Sequence, residues 1–141
     1  MSYQTNNKDV SLAFKTVAAH LCNGGLFIFD CWYGPAVLNE MPTIRVKRFE
    51  NEEIRITRIA EPILNDIDNT VDVNYSFFVI DKKTNLVKEF KEIHKVRYFF
   101  IPEVEMLFDL NGFNLIDYYG FMTEIKPSID NWNVCFIGKK K

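Results

Sequence analysis

The 141-residue sequence predicts an α/β fold, α+β when taken as a stand-alone fragment, with a four-strand antiparallel insertion interrupting a partly parallel sheet. Three observations predict it. Asn23, Gly24 and Gly25 join a helix end to the apolar run Leu26–Phe29, which closes on Asp30, Cys31, Trp32 and Tyr33. From Pro42 to about Tyr98 the pattern changes to long, charge-bearing strands. After Phe100 a helix-then-strand order returns. An acidic residue and aromatics at the carboxyl end of a buried strand mark the place where open α/β sheets bind ligands.

Each element has its own local reason. Asn6 or Asn7 caps a helix whose Val10, Phe14, Val17, Ala18 and Leu21 recur at helical spacing, and Gly24 supplies a left-handed stop. Leu26–Phe29 lacks polar alternation, as a strand covered on both faces would. Ile44–Phe49 and Ile54–Ile59 flank the polar turn at residues 50–53 and read as a hairpin. Val71, Val73, Tyr75, Phe77 and Val79 alternate, and residues 82–85 turn into a fourth strand from Leu86 to about Val96. The charged outer positions of these strands suggest a sheet that projects from the body. Pro102 suits the first turn of a helix, Glu103 and Glu105 favour its positive end, Val104, Leu107 and Phe108 form its buried stripe, and Gly112 ends it. Strands Phe113–Tyr119 and Trp132–Ile137 complete the order, giving one domain over 1–141 with its insertion at 42–98.

Composition removes several function classes. With 48% hydrophobic residues and 13 Phe, the chain can bury a core. A net charge of −2 gives no footprint for nucleic acid, and residues 139–141 form only a basic tail. Cys22, Cys31 and Cys135 are odd in number and widely spaced, which reads as buried free thiols in a cytoplasmic protein. No apolar run approaches the roughly 20 residues of a membrane span. No CxxC, HExxH, GxSxG or phosphate loop supports metal or serine chemistry.

The order helix, Asn23-Gly24-Gly25-Leu26-Phe27-Ile28-Phe29-Asp30, strand-rich insertion, then Pro102 to Phe108 and Asn111-Gly112-Phe113, resembles the carboxyl-terminal half of a class I S-adenosylmethionine-dependent methyltransferase. The loop from Cys31 to Pro35 and the insertion resemble most the amino-sugar N-methyltransferase branch. The resemblance implies a Rossmann-like sheet, a small-molecule acceptor and a homodimer built through the insertion. It implies S-adenosylmethionine as cofactor, yet the family's glycine-rich turn and the acidic residue that holds the ribose are absent here: Gly24, Gly25, Gly34, Gly112, Gly120 and Gly138 form no GxGxG. The chain therefore reads as a truncated, methyltransferase-like piece that does not bind the cofactor alone. Thr5 and Asn6 stand near the place of a branch-typical histidine.

Trp32 and Tyr33 read as an aromatic wall for a substrate or for the sulfonium cation, or else as the seal of the sheet edge. Asp30 reads as an acceptor for a substrate amine, or as the cap of a neighbouring loop. His94 shares strand parity with Phe90 and Val96 and is the candidate general base, with a hydrogen-bonded structural histidine as the alternative. Tyr98 belongs to the aromatic cluster beside it, and residues 26–40 and 94–100 form the expected acceptor pocket. His20 reads as a solvated helix-end residue. The opposing functional reading is a non-catalytic dimerisation or carbohydrate-binding module.

Overall fold

The computed structural model describes all 141 residues. Three helices, α1 (Asn7–His20), α2 (Gly34–Asn39) and α3 (Ile101–Leu110), accompany seven strands. These are β1 (Leu26–Tyr33), β2 (Arg45–Glu50), β3 (Ile54–Asn65), β4 (Thr70–Asp81), β5 (Val87–Phe99), β6 (Phe113–Gly120) and β7 (Asn133–Lys140). They form one sheet in the order β2-β3-β4-β5-β1-β7-β6. All neighbours are antiparallel except β1 and β5, which run parallel and pair only at Trp32 with Tyr98 and Tyr33 with Phe99.

Asn6 caps α1 by accepting from the Asp9 N–H at 2.9 Å. The helix stops at His20, before the glycines, so Gly24 at φ +83° shapes the turn into β1 rather than the helix end. The Lys140 ammonium satisfies the last carbonyls instead, donating to Ala18 and Leu21 at 2.6 and 2.7 Å. Gly112, at φ +78°, does follow α3 directly. At the start of α3, Glu103 accepts from Arg97 at 2.5 Å and from the Phe100 N–H at 3.4 Å.

The principal core lies on one face of β1, β7 and β6, beneath α1 and α3. Phe14, Phe27, Phe108, Phe113 and Phe136 fill it with Val10, Val104 and Val134. Gly138 admits the Phe108 ring, because a Cβ there would stand 2.2 Å from Phe108 Cε1. A second, smaller core of Val37, Ala60, Val71, Val73, Val96 and Tyr98 sits where α2 closes the base of the insertion.

Two sequence expectations are corrected by this layering. β1 is covered on one face only: Phe27 and Cys31 are buried, whereas Leu26 and Ile28 are 53% and 56% exposed. A continuous apolar run fits a doubly covered strand, but α1 and α3 both lie on the Phe27 side, and α2 on the other face packs near Trp32 and Tyr98, leaving Leu26 and Ile28 open. Of the thiols, only Cys31 is buried, Cys135 is half-buried and Cys22 is exposed in the turn after α1. Burial pushes the Cys31 thiol up to about 12. No helix is long and apolar enough to cross a membrane.

Candidate functional site

The residues named from the sequence divide by strand parity. In β1, alternate side chains point to opposite faces, so Asp30 and Trp32 face away from the phenylalanine core and Tyr33 faces into it. In β5 the face that carries His94 also carries Val96 and Tyr98. The parallel join of β1 to β5 brings the two sets together. Asp30, Trp32 and His94 line one cleft of about 210 Å³, with Tyr3, Tyr75 and Asn133 as its other polar and aromatic walls.

Tyr33 and Tyr98 do not line that cleft. Tyr33 packs against the principal core, where burial and then the Tyr118 phenol raise its own phenol above the ordinary range. Tyr98 is fully buried in the second core, and its hydroxyl has no hydrogen-bond partner. Burial raises it as well, followed by the charge of Asp66. The reason is α2: Gly34–Asn39 folds as a helix rather than a loop and brings Val37 into the same core as Tyr98. Gly34 fits there because a Cβ would meet the Phe100 ring at 2.6 Å.

Within the cleft His94 is held from two sides. Its Nδ1 lies 2.8 Å from the Tyr3 hydroxyl and its Nε2 lies 3.2 Å from Glu92 Oε2. The Tyr75 ring meets it edge-on, with centroids 5.2 Å apart and planes at 89°. Tyr3 is positioned through Ser2, whose carbonyl accepts from Arg97 N–H at 2.7 Å and whose Oγ accepts from Trp32 N–H at 2.8 Å. His20, outside the cleft, has Nδ1 2.7 Å from the Thr16 carbonyl.

A second cleft, of about 160 Å³, adjoins the first across Trp32, Val73 and Tyr75. Arg45, Lys47 and Arg58 line it together with Trp132. Trp132 stands edge-on to Trp32 at 5.4 Å and donates from Nε1 to Glu40 at 2.9 Å. The Arg58 guanidinium lies 5.0 Å from the Tyr75 ring centre, and its Nε is buried without a partner. A wall of this kind suits an anionic group beside a planar ring. Tyr3, Arg58, Tyr75 and Trp132 carry no functional signal in the sequence and join the clefts only through the fold. The register of β2 on β3 sets Arg58 opposite Lys47, a juxtaposition that neither strand signals by itself.

No family model and no curated protein matches the chain. Solved structures do. An S-adenosylmethionine-dependent methyltransferase from Clostridium acetobutylicum ATCC 824 superposes with a TM-score of 0.80 at 24% identity, over 99% of this chain and 54% of that one. The sugar N-methyltransferase KedS8 from Streptoalloteichus sp ATCC 53650 gives 0.75 at 15%, over 99% and 52%. CalS10, an amino pentose methyltransferase from Micromonospora echinaspora, gives 0.71 at 16%, over 95% and 51%. The chain thus spans about half the length of each of these structures. What these 141 residues carry is the fold of one half of an S-adenosylmethionine-dependent methyltransferase.

Proposed function

We propose that this chain is the acceptor-binding, carboxyl-terminal half of an S-adenosylmethionine-dependent methyltransferase acting on a small molecule, with amino sugars as the favoured acceptors. The observation that carries the reading is the superposition over nearly the whole chain on half of each methyltransferase. The site geometry supports it: Asp30, Trp32 and His94 converge at the carboxyl end of β1, where open sheets of this class bind ligands. An exposed carboxylate beside two aromatic side chains suits a cationic amine.

The residues present do not fit the cofactor. Neither strand-to-helix turn offers a backbone cradle: the space over Gly34 is filled by Phe100, and the Phe100 N–H is taken by Glu103. The nucleoside-binding part of the fold lies outside these residues, and the chain alone is inactive. In the cell we place it in the cytoplasm, as a homodimer joined through the insertion sheet or the open edge of β1.

The test has two arms. Calorimetric titration of S-adenosylmethionine into the 141-residue chain is expected to give no heat of micromolar binding. Joined to a complementary glycine-rich half, the chain is expected to transfer labelled methyl groups to an amino sugar. Micromolar affinity in the first arm, or no transfer to any amine in the second, overturns the reading.

One observation favours a second reading, a dimerisation or carbohydrate-binding module. A polar cavity of about 600 Å³ is lined by Thr5, Asn6, Asp68, Asn69, Thr70 and Lys95, groups that suit sugar hydroxyls. Sugar binding at that cavity, unaffected by Trp32→Ala in the aromatic cleft, is the result that reading requires.

A further inference from the structure

We propose that Tyr3, and not His94, is the side chain that meets the acceptor, with Glu92 and His94 acting through it as a proton relay. This rests on reading the cleft as an acceptor site. Both nitrogens of His94 are engaged. Glu92, as a carboxylate, only accepts hydrogen bonds, so the ring hydrogen of a neutral His94 sits on Nε2, 3.2 Å from Glu92 Oε2. Nδ1 is then the acceptor for the Tyr3 hydroxyl at 2.8 Å. No lone pair of the imidazole is left for a substrate.

The phenol, by contrast, is presented. Tyr3 is 66% exposed and lines the same cleft as Asp30 and Trp32. Its place is fixed from behind, since Ser2 is hydrogen-bonded to Arg97 on β5 and to Trp32 on β1. Glu92 and His94 are two residues apart on β5 and so project from one face. Tyr75, edge-on to the imidazole, limits its rotation. A carboxylate, an imidazole and a hydroxyl in series form the arrangement that activates a weak oxygen acid toward proton exchange.

The proton balance is simple. A protonated amine in the cleft passes one proton to Tyr3 Oη while the phenol's own proton passes to His94 Nδ1. The amine recovers its lone pair, the phenol is re-formed, and His94 becomes an imidazolium whose two N–H groups donate to Tyr3 and Glu92. Asp30, exposed in the same cleft, favours the cationic acceptor before the step. Tyr3 is then the catalytic residue of the relay, and His94 and Glu92 are positioning residues.

The phenol can be tested without methyl transfer, so failure here is distinct from failure of the acceptor reading. Acetylation by N-acetylimidazole, mapped by mass spectrometry on the 141-residue chain, reads the reactivity of Tyr3. His94→Asn is expected to slow modification at Tyr3 by about tenfold, less than the roughly 10²–10⁴-fold of full base catalysis, and Glu92→Gln by less. Tyr119, whose hydroxyl donates to Asp117, serves as the unchanged reference. Long-range proton–nitrogen NMR of the unsubstituted chain is expected to place the His94 hydrogen on Nε2, with that preference weakened by Tyr3→Phe. Equal Tyr3 rates with and without His94, or a hydrogen on Nδ1, overturns the relay.

Discussion

The body around β1, β7 and β6 and the insertion β2–β5 are held together by different means. In the body, α1 and α3 bury a continuous set of phenylalanines, and Phe14, Phe108, Phe113 and Phe136 are wholly out of water. In the insertion, burial stops at Val73 and Ala60; farther out both faces carry exposed apolar groups, among them Phe49, Ile93 and Leu86. What continues is the ladder, since β3 pairs with β4 without a break from Ile54–Asp81 to Asn65–Thr70. The contrast teaches that side-chain packing sets the stability of the body, whereas backbone pairing and cross-strand contacts carry the insertion.

The largest effect expected of this contrast comes from deleting one ring on each side of it. Phe108→Ala empties a site in contact with Phe14, Phe27, Phe29, Phe113 and Gly138 and is expected to cost about 3–5 kcal/mol. Phe77→Ala removes a ring stacked on Phe90 at 4.8 Å on an open sheet and is expected to cost about 1 kcal/mol or less. Urea denaturation of both variants checks the pair. Similar losses would mean that the insertion carries a packed core of its own and would break the comparison.

The same contrast explains what was legible in the sequence. Helical spacing and capping announced α1 and α3, because their cores are local stripes read at one period. Alternation announced β2 to β5 but underestimated their reach: β3 extends to Asn65 and β5 to Phe99, which is how the insertion enters the body beside β1. The α2 helix was missed, since six residues opening Gly34-Pro35 carry too little periodicity to outvote turn chemistry. In the site, parity set His94 on a usable face and the strand end set Trp32 near it. It gave no warning that α2 would bury Tyr98, nor that Tyr33 would turn into the core, because both depend on contacts distant in sequence. The Tyr3–His94 bond, spanning 91 residues, has no local signal at all.

A second, smaller effect concerns the open side of β1. Gly25 bonds to Lys140 of β7 and Tyr33 to Trp132 just before it through their backbones, so the even-numbered residues between them point the other way. Asp30 C=O and Trp32 N–H find partners in Met1 and Ser2, but no strand lies along Leu26 and Ile28. Those two side chains are also exposed, and an apolar strand with a free edge pairs readily with another chain. The insertion offers a competing surface for association. Sedimentation at tens of micromolar separates the two: Ile28→Lys is expected to shift the protein toward monomer if the body edge is the interface, and Ile93→Lys if the insertion is. A monomer before any substitution would remove both.

The smallest effect compares one carboxylate in each region. On β6, Asp117 accepts from Lys126, from the Tyr119 hydroxyl at 2.6 Å and from the Tyr118 N–H at 2.8 Å, and these contacts, Lys126 foremost, hold its carboxyl down to about 2. At the insertion tip, Asp81 accepts from the Thr84 and Lys83 N–H groups, which lower it from the ordinary value of 3.8. Both are depressed in the folded state, so each contributes stability that is present above its unfolded value and is lost as the pH falls through the folded one. For Asp117 the window therefore runs from about pH 4 down to about pH 2. Melting temperatures recorded from pH 6 to pH 2 are expected to fall less steeply in that window for Asp117→Asn than for the unsubstituted chain. Asp81→Asn is expected to flatten the acid limb less, because its partners are neutral groups of Lys83 and Thr84 in one turn rather than a lysine that ties the 121–132 loop to β6. Were Asp81→Asn to flatten the acid limb more than Asp117→Asn, the insertion's turn would be the more acid-sensitive element, and backbone pairing rather than packing would set where this fold first opens.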